Sequence, residues 1–291
     1  MTAPRGNKFT AFAEDNFSRS GASGLYDRAR PGYPEESIDK ILSLLPTPGE
    51  ASVSTGATIV ELGAGTGIFT RGLLERAQAT KPAGAISELI AVEPSKGMRQ
   101  GFEDKVKSVG GTKVSIQDGL FDKIPVQDGK ADLIVVAQAF HWVGHDGESA
   151  IRDMARVLKP DGVVALIWNY EDRDVPWVAQ LRDLYEAYEG DTPQARHGYF
   201  KSTFKTDYYL SAYGPLDVLT YRRKIPTTTE GVVDRVLSKS YITALPQEKQ
   251  EELAKGFRDV VKRGDGKVWI DEKEGTFEYP YKTELYLFRK K

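Results

Sequence analysis

The sequence predicts an α/β fold: a doubly wound, seven-stranded sheet, mainly parallel with an antiparallel C-terminal strand, carrying a helical cap. Three observations lead there. Short β-branched apolar segments alternate with amphipathic helical ones, the pattern of a parallel sheet covered on both faces. A turn with three glycines joins the first strand to the helix after it. Finally, the 291 residues, 40% of them apolar, exceed the roughly 150 to 200 that such a sheet needs, leaving a surplus for an arm and a cap.

Residues 1 to 34 lack periodicity, contain SRSGASG and YDRARPGYP, and read as an N-terminal arm over the active site. The domain proper is expected over 35–291. Its first helix places Ile38, Ile41, Leu42 and Leu45 at helical spacing, with Glu35 and Glu36 in the first turn and Pro46 as a stop. TIVEL, ELIAVE, TKVSIQ, ADLIVVA and GVVALIW follow as buried strands. Between them IFTRGLLERAQA and IRDMARVLKPDG are helical, the second ending in a Pro-Asp-Gly turn. Beyond Trp168 the pattern changes: a helix at 177–188, a strand LDVLTYRRKI, an amphipathic helix opening at Pro246, and an alternating strand YKTELYLFR. Cap insertions are therefore expected at about 170–213 and 226–280.

Composition excludes several chemistries. There is no cysteine, so disulfide scaffolds, thiolate metal sites and thiol catalysis are ruled out. The net charge of −2 provides no field for nucleic acid or an anionic membrane, and neither is expected as a partner. No run approaches the ~20 apolar residues of a membrane span, and no signal peptide is legible, which reads as cytoplasmic. His141 and His145 have the spacing of a zincin helix, but Trp142 stands where the catalytic glutamate belongs. No metal is expected.

The turn TIVELGAGTGIF holds Glu61, Gly63, Gly65 and Gly67. A strand that turns this tightly into a helix needs positive φ and no Cβ, which glycine allows. A dinucleotide fingerprint needs a glycine at the sixth position, where counting from Gly63 gives Ile68. Instead an acid precedes alternate glycines. It would repel a pyrophosphate and attract an ammonium or sulfonium group. Glu93, closing the next strand, is placed to accept ribose hydroxyls; the alternative is a solvated strand-end carboxylate.

With VELGAGTG, AVEPS, DGLFDKIP and DLIVVAQAFHW in this order, the chain resembles the class I S-adenosylmethionine-dependent methyltransferases over about residues 26–170, a Rossmann-like fold. YDRARPGYP, AQAFHW, RVLKPDG, SKSYITALP and PYKTELYLF resemble its small-molecule branch, which includes trans-aconitate methyltransferases and fungal relatives. The resemblance implies S-adenosyl-L-methionine as cofactor. It also implies that Glu61, Gly63, Gly65 and Gly67 surround its methionine part, that Glu93 takes the ribose, and that Gly119, Leu120 and Phe121 meet the adenine. Gln138 would approach the sulfonium. Many members have Asp after that third-strand glycine, where this chain has Leu120; Asp118 or Asp122 is then the substitute.

The expected activity is in-line methyl transfer to a small organic molecule, a carboxylic acid or related metabolite. A carboxylate arrives ionised, so alignment and exclusion of water suffice. His141 is the candidate catalytic base for an O- or N-methyltransferase, or else a pocket wall. Tyr26, Arg30, Tyr33, Trp142 and Tyr241 are the candidate substrate residues, with arginine chosen for its bidentate grip on carboxylates. A nicotinamide-dependent oxidoreductase and a non-enzymatic methyltransferase-like regulator are the competing readings.

Overall fold

The structure, a computed structural model, describes residues 27–46, 56–106 and 111–291. Tyr26 and the arm before it lie outside the described residues.

Helix α1 (Glu35–Leu42) precedes β1 (Ala57–Leu62). Its buried Ile38, Ile41 and Leu42 pack on α2 (Ile68–Thr80), while Arg76 of α2 pairs with Asp39 and Glu35. The alternation continues through β2 (Ile86–Val92), α3 (Lys96–Lys105), β3 (Lys113–Gln117), β4 (Ala131–Ala137), α4 (Glu148–Val157) and β5 (Leu158–Glu171). Then come α5 (Pro176–Glu186), α6 (Asp207–Ala212), β6 (Asp217–Thr227), α7 (Thr229–Leu237), α8 (Ser240–Thr243), α9 (Gln247–Arg263), β7 (Trp269–Asp271) and β8 (Thr276–Arg289).

The sheet order is β3-β2-β1-β4-β5-β8-β6, with β7 paired to β8. Strands β1 to β5 are parallel to one another, and β8 runs antiparallel to both β5 and β6. The chain winds outward from β1 to β3, then returns to β4 on the other side. That reversal opens a crevice at the carboxyl ends of β1 and β4, where doubly wound sheets bind ligands.

Adjacent residues of one strand serve different cores. Val60, Ile134, Val136, Val164 and Leu166 belong to one buried cluster; Ile59, Leu133, Val135, Val163 and Ala165 belong to the cluster on the opposite face. A two-residue side-chain period buried on both sides requires the continuous apolar runs seen in the sequence. A third cluster, with Trp177, Leu181, Val236, Phe257, Val261, Phe277 and Tyr281, fills the cap.

Three local expectations need correction. Among the described residues the sheet has eight strands rather than seven, because Trp269–Asp271 adds a hairpin strand whose three residues are all exposed and so left no burial pattern. Strand β8 begins at Thr276, five residues ahead of the YKTELYLFR segment. The Pro-Asp-Gly turn does not lie between elements: helix α4 ends at Val157 and residues 160–162 form a bulge within β5, with Asp161 at φ 61°.

A candidate cofactor and substrate cavity

Past Leu62 the chain adopts positive φ at Gly63 (68°), Gly65 (56°) and Gly67 (79°). The three positions have different reasons. A Cβ on Gly63 would lie 2.6 Å from the Ala139 Cβ, because the loops after β1 and β4 touch there. A Cβ on Gly67 would lie 2.3 Å from Val106 Cγ2, on the α3 side. Gly65 faces open space. Thus Gly63 and Gly65 border a cavity of about 290 Å³ at the switch point, whereas Gly67 packs behind the loop.

Glu93 fastens the loop. Its Oε2 accepts from the Gly65 amide at 3.0 Å and its Oε1 from the Ser95 amide at 2.9 Å. The residue borders the cavity beside Pro94 and Met98. Gly119, Leu120 and Phe121 form the next stretch of wall. Gly119 leaves no room for a side chain, since Pro125 and Val92 stand 2.5 and 2.7 Å from a built Cβ. Of the two candidate acids, Asp122 borders the cavity while Asp118 pairs with Arg99 at 3.4 Å.

Glu61 sits apart from that cavity, in an adjoining crevice with Arg30, Tyr33, Gly63, Gly65 and Gln138. It is 1% exposed and accepts a 2.5 Å hydrogen bond from the Thr70 hydroxyl. Burial raises its pKa to about 8, with Thr70 opposing, Glu93 adding to the rise and Arg71 opposing. Because the folded value lies above the ordinary carboxylate value, the stability from this group is complete at acid pH and lost as pH rises through about 8. A cationic ligand favours the ionised form. S-adenosylhomocysteine, whose amino group is cationic, is therefore expected to bind more tightly as pH rises from 6 to 8, and Glu61→Gln to flatten that slope in calorimetric titrations.

Gln138 leaves β4 at φ 59°, an uncommon conformation for a residue with a Cβ. Its Nε2 donates to the Asn169 carbonyl at 3.0 Å, and Asn169 Nδ2 donates to the Gly32 carbonyl at 2.9 Å. The chain of bonds joins the ends of β4 and β5 to the segment ahead of α1. His141 and Trp142 follow in a 3₁₀ turn, Phe140–Val143, and both line the cavity. The Trp168 indole donates to His141 Nδ1 at 3.3 Å. An indole nitrogen can only donate, so this bond assigns the neutral imidazole's proton to Nε2. Burial, reinforced by the charge of Arg30, lowers the His141 pKa to about 3.

The opposite wall belongs to the cap and holds the residues that sequence reasoning missed. Glu171, the last residue of β5, pairs with Arg235 Nη2 at 2.8 Å and Lys239 Nζ at 3.2 Å, and accepts from the Tyr185 hydroxyl at 3.3 Å. Burial alone would raise its pKa; Arg235 and Lys239 outweigh that and hold the carboxyl well below the usual range. Arg182 pairs with Glu186 at 2.6 Å, Arg196 with Glu189, and the Tyr241 hydroxyl donates to Glu189 at 3.4 Å. Arg30 crosses to the cap through Ser238, at 3.1 Å to the hydroxyl and 3.0 Å to the carbonyl. Of the sequence candidates, Arg30, Trp142 and Tyr241 meet on the cavity. Tyr33 instead stands edge-on to Phe69 at 5.2 Å, in the side crevice. The one sequence signal for the missed cations is the one-turn spacing of Arg235 and Lys239.

A switch-point cavity, a strand-to-helix glycine loop and a buried acid at the end of β2 define a nucleoside-cofactor enzyme of the Rossmann-like class. Comparison with known proteins narrows this. A family described as "Methyltransferase domain" matches residues 60–166. An uncharacterized methyltransferase of Mycobacterium tuberculosis is 30% identical over 231 residues, covering 79% of this chain and 80% of that protein. A methyltransferase-like protein of Schizosaccharomyces pombe is 30% identical over 237 residues, covering 81% and 83%. Among solved structures, phosphoethanolamine N-methyltransferase 2 of Haemonchus contortus, in complex with phosphomonomethylethanolamine and S-adenosylhomocysteine, shares the fold. Its TM-score is 0.52 at 12% identity, covering 99% of this chain and 61% of that one.

The chain belongs to the methyltransferase family. It is an S-adenosylmethionine-dependent enzyme, and this overturns both the nicotinamide-dependent alternative and the non-enzymatic one. No helix among the described residues is long and apolar enough to cross a membrane.

Proposed function

We propose that the enzyme methylates a small organic acid, in the manner of the trans-aconitate branch it resembles. The observation that carries this reading is one continuous cavity, bordered by Gly63, Gly65 and Glu93 at one end and by the buried cations Arg235 and Lys239 at the other. The cations suit an anionic acceptor.

Bound against the glycine loop, S-adenosylmethionine would supply an electrophilic sulfonium methyl for transfer to a carboxylate oxygen of the substrate. Gly65 and Glu93 would hold the cofactor's methionine and ribose parts, and Leu120 and Phe121 the adenine. Gln138, locked by Asn169, sets the mouth of the acceptor site. Trp142, Tyr170 and Tyr185 exclude water, so the acceptor loses its hydration before transfer. His141, neutral and protonated on Nε2, donates a hydrogen bond to the acceptor and takes no proton.

Labelled methyl transfer to a panel of organic acids, phenols and amines tests the reading. Base-labile methyl esters are the expected products; transfer only to phenols or amines would overturn it. His141→Asn is expected to retain kcat within about tenfold, since loss of a true general base costs about 10²- to 10⁴-fold. The pH profile of kcat should likewise show no inflection between 6 and 7.

A further inference from the structure

The cap end of the cavity carries more positive charge than its own carboxylates neutralise. Arg182 is matched by Glu186 and Arg196 by Glu189. Arg235 and Lys239, in contrast, share the single carboxylate of Glu171. One positive charge is left over, and it belongs to a pair that borders the cavity. A second, independent observation falls on the same residue: Arg235 is 3% exposed, yet its Nη1 has no hydrogen-bond partner. A buried guanidinium nitrogen without an acceptor is costly, and a ligand oxygen is the natural completion.

The sheet register gives the distance of this pair from the cofactor loop. Glu61, Val135 and Ala165 share one level across β1, β4 and β5. Glu171 lies six residues beyond Ala165 on β5, roughly 20 Å along the strand and two strands across at about 4.8 Å each. The glycine loop begins where β1 ends, so Glu171 and the cations it holds lie well over 10 Å from the loop. This offset favours an acceptor atom beside the loop that is distinct from the atom held by Arg235.

We propose that Arg235 and Lys239 form an anchoring subsite for a substrate carboxylate that is not the methyl acceptor, so the substrate carries an acid group at one end and the accepting group at the other. This deepens the acid-substrate reading and rests on it for the identity of the acceptor alone. Arg235 supplies the directed donor and Lys239 the second charge. Burial lowers the Lys239 pKa to about 7, Glu171 opposing, with Arg235 and Arg30 adding to the fall; an anion placed beside it reverses that trend. Lys239 also lies over the Tyr185 ring at 4.3 Å, which fixes its direction.

The test uses the protein saturated with S-adenosylhomocysteine and titrated calorimetrically with the dicarboxylate series from malonate to adipate and with the matching neutral diamides. At least one diacid is expected to bind at least 30-fold more tightly than its diamide. Arg235→Gln should abolish that preference and leave S-adenosylhomocysteine affinity unchanged. If that variant fails to bind S-adenosylhomocysteine, Lys239→Gln is judged by the same criterion. For any diacid that is turned over, Arg235→Gln should raise KM at least 30-fold with kcat held within threefold. Equal binding of diacids and diamides, or a diacid held as tightly by the variant as by the wild type, would overturn the proposal. Arg235-dependent diacid binding together with methyl transfer only to phenols or amines would support the subsite and refute the acid acceptor.

Discussion

Replacing Glu93 by alanine is expected to weaken S-adenosylhomocysteine binding by about 100-fold and, because the Gly65 and Ser95 amides lose their acceptor, to lower the melting temperature of the cofactor-free protein as well. The carboxylate holds the Gly65 amide at 3.0 Å and the Ser95 amide at 2.9 Å, and we assign it the ribose hydroxyls as well. A hydrogen bond to a charged group contributes about 1.5 to 3 kcal/mol, and each 1.4 kcal/mol is tenfold in affinity. Losing the ribose contact and loosening Gly65 together reach two powers of ten. Glu93→Gln keeps one acceptor oxygen and should fall between. Isothermal titration of all three proteins decides the matter; an alanine variant that binds as the wild type would remove Glu93 from the site.

The second large effect concerns stability. Glu171→Leu leaves Arg235 and Lys239 facing each other in a buried site without their counter-ion, and removal of one partner from a buried pair costs about 3 to 5 kcal/mol. Urea unfolding should show the loss. The double variant Glu171→Leu/Arg235→Met should recover part of it, because the penalty comes from uncompensated charge. The pH dependence has a definite sign. Glu171 has its pKa lowered in the folded protein, so its contribution is complete above the ordinary carboxylate range and lost as pH falls through the folded value. Acid should therefore destabilise the wild type more steeply than Glu171→Leu.

The parallel sheet was legible because its information is local: a strand buried on both faces must be apolar at consecutive positions, and TIVEL or ADLIVVA admits few other readings. The glycine loop was equally local, since positive φ and missing Cβ space leave a mark in composition. Glu61 shows the limit. Its place at the glycine loop is legible, but the hydrogen bond its carboxyl accepts from Thr70 depends on how α2 packs and cannot be read from spacing. The cap cluster lay beyond reach for the same reason. Glu171, Arg182, Arg235 and Lys239 come from different elements, and each looks like an ordinary solvent-facing charge until the cap folds over β5. Strand β7, short and exposed, left no pattern to read. Arg28 and Arg30 are also nearly equivalent in sequence; Arg30 reaches Ser238 across the cavity, while Arg28 is exposed.

Strand β8 has a further consequence for how the molecule opens. Phe277, Tyr279 and Tyr281 of this strand fill the cap cluster, while Leu285 and Leu287 enter one sheet core and Tyr286 and Phe288 the other. One continuous ladder with β6 runs from Leu287 to Phe277, crossing from the sheet into the cap without an interruption. A body joined by an unbroken ladder has no hinge, so the cap cannot swing as a rigid door, and heating should melt cap and sheet in one calorimetric transition. The segment from Asp27 to Tyr33 is tied to this body by side chains from several elements: Asp27 on Thr66, Arg71 and Lys105, Arg30 on Ser238, Tyr33 on Phe69, and Asn169 and Arg223 on the Gly32 carbonyl.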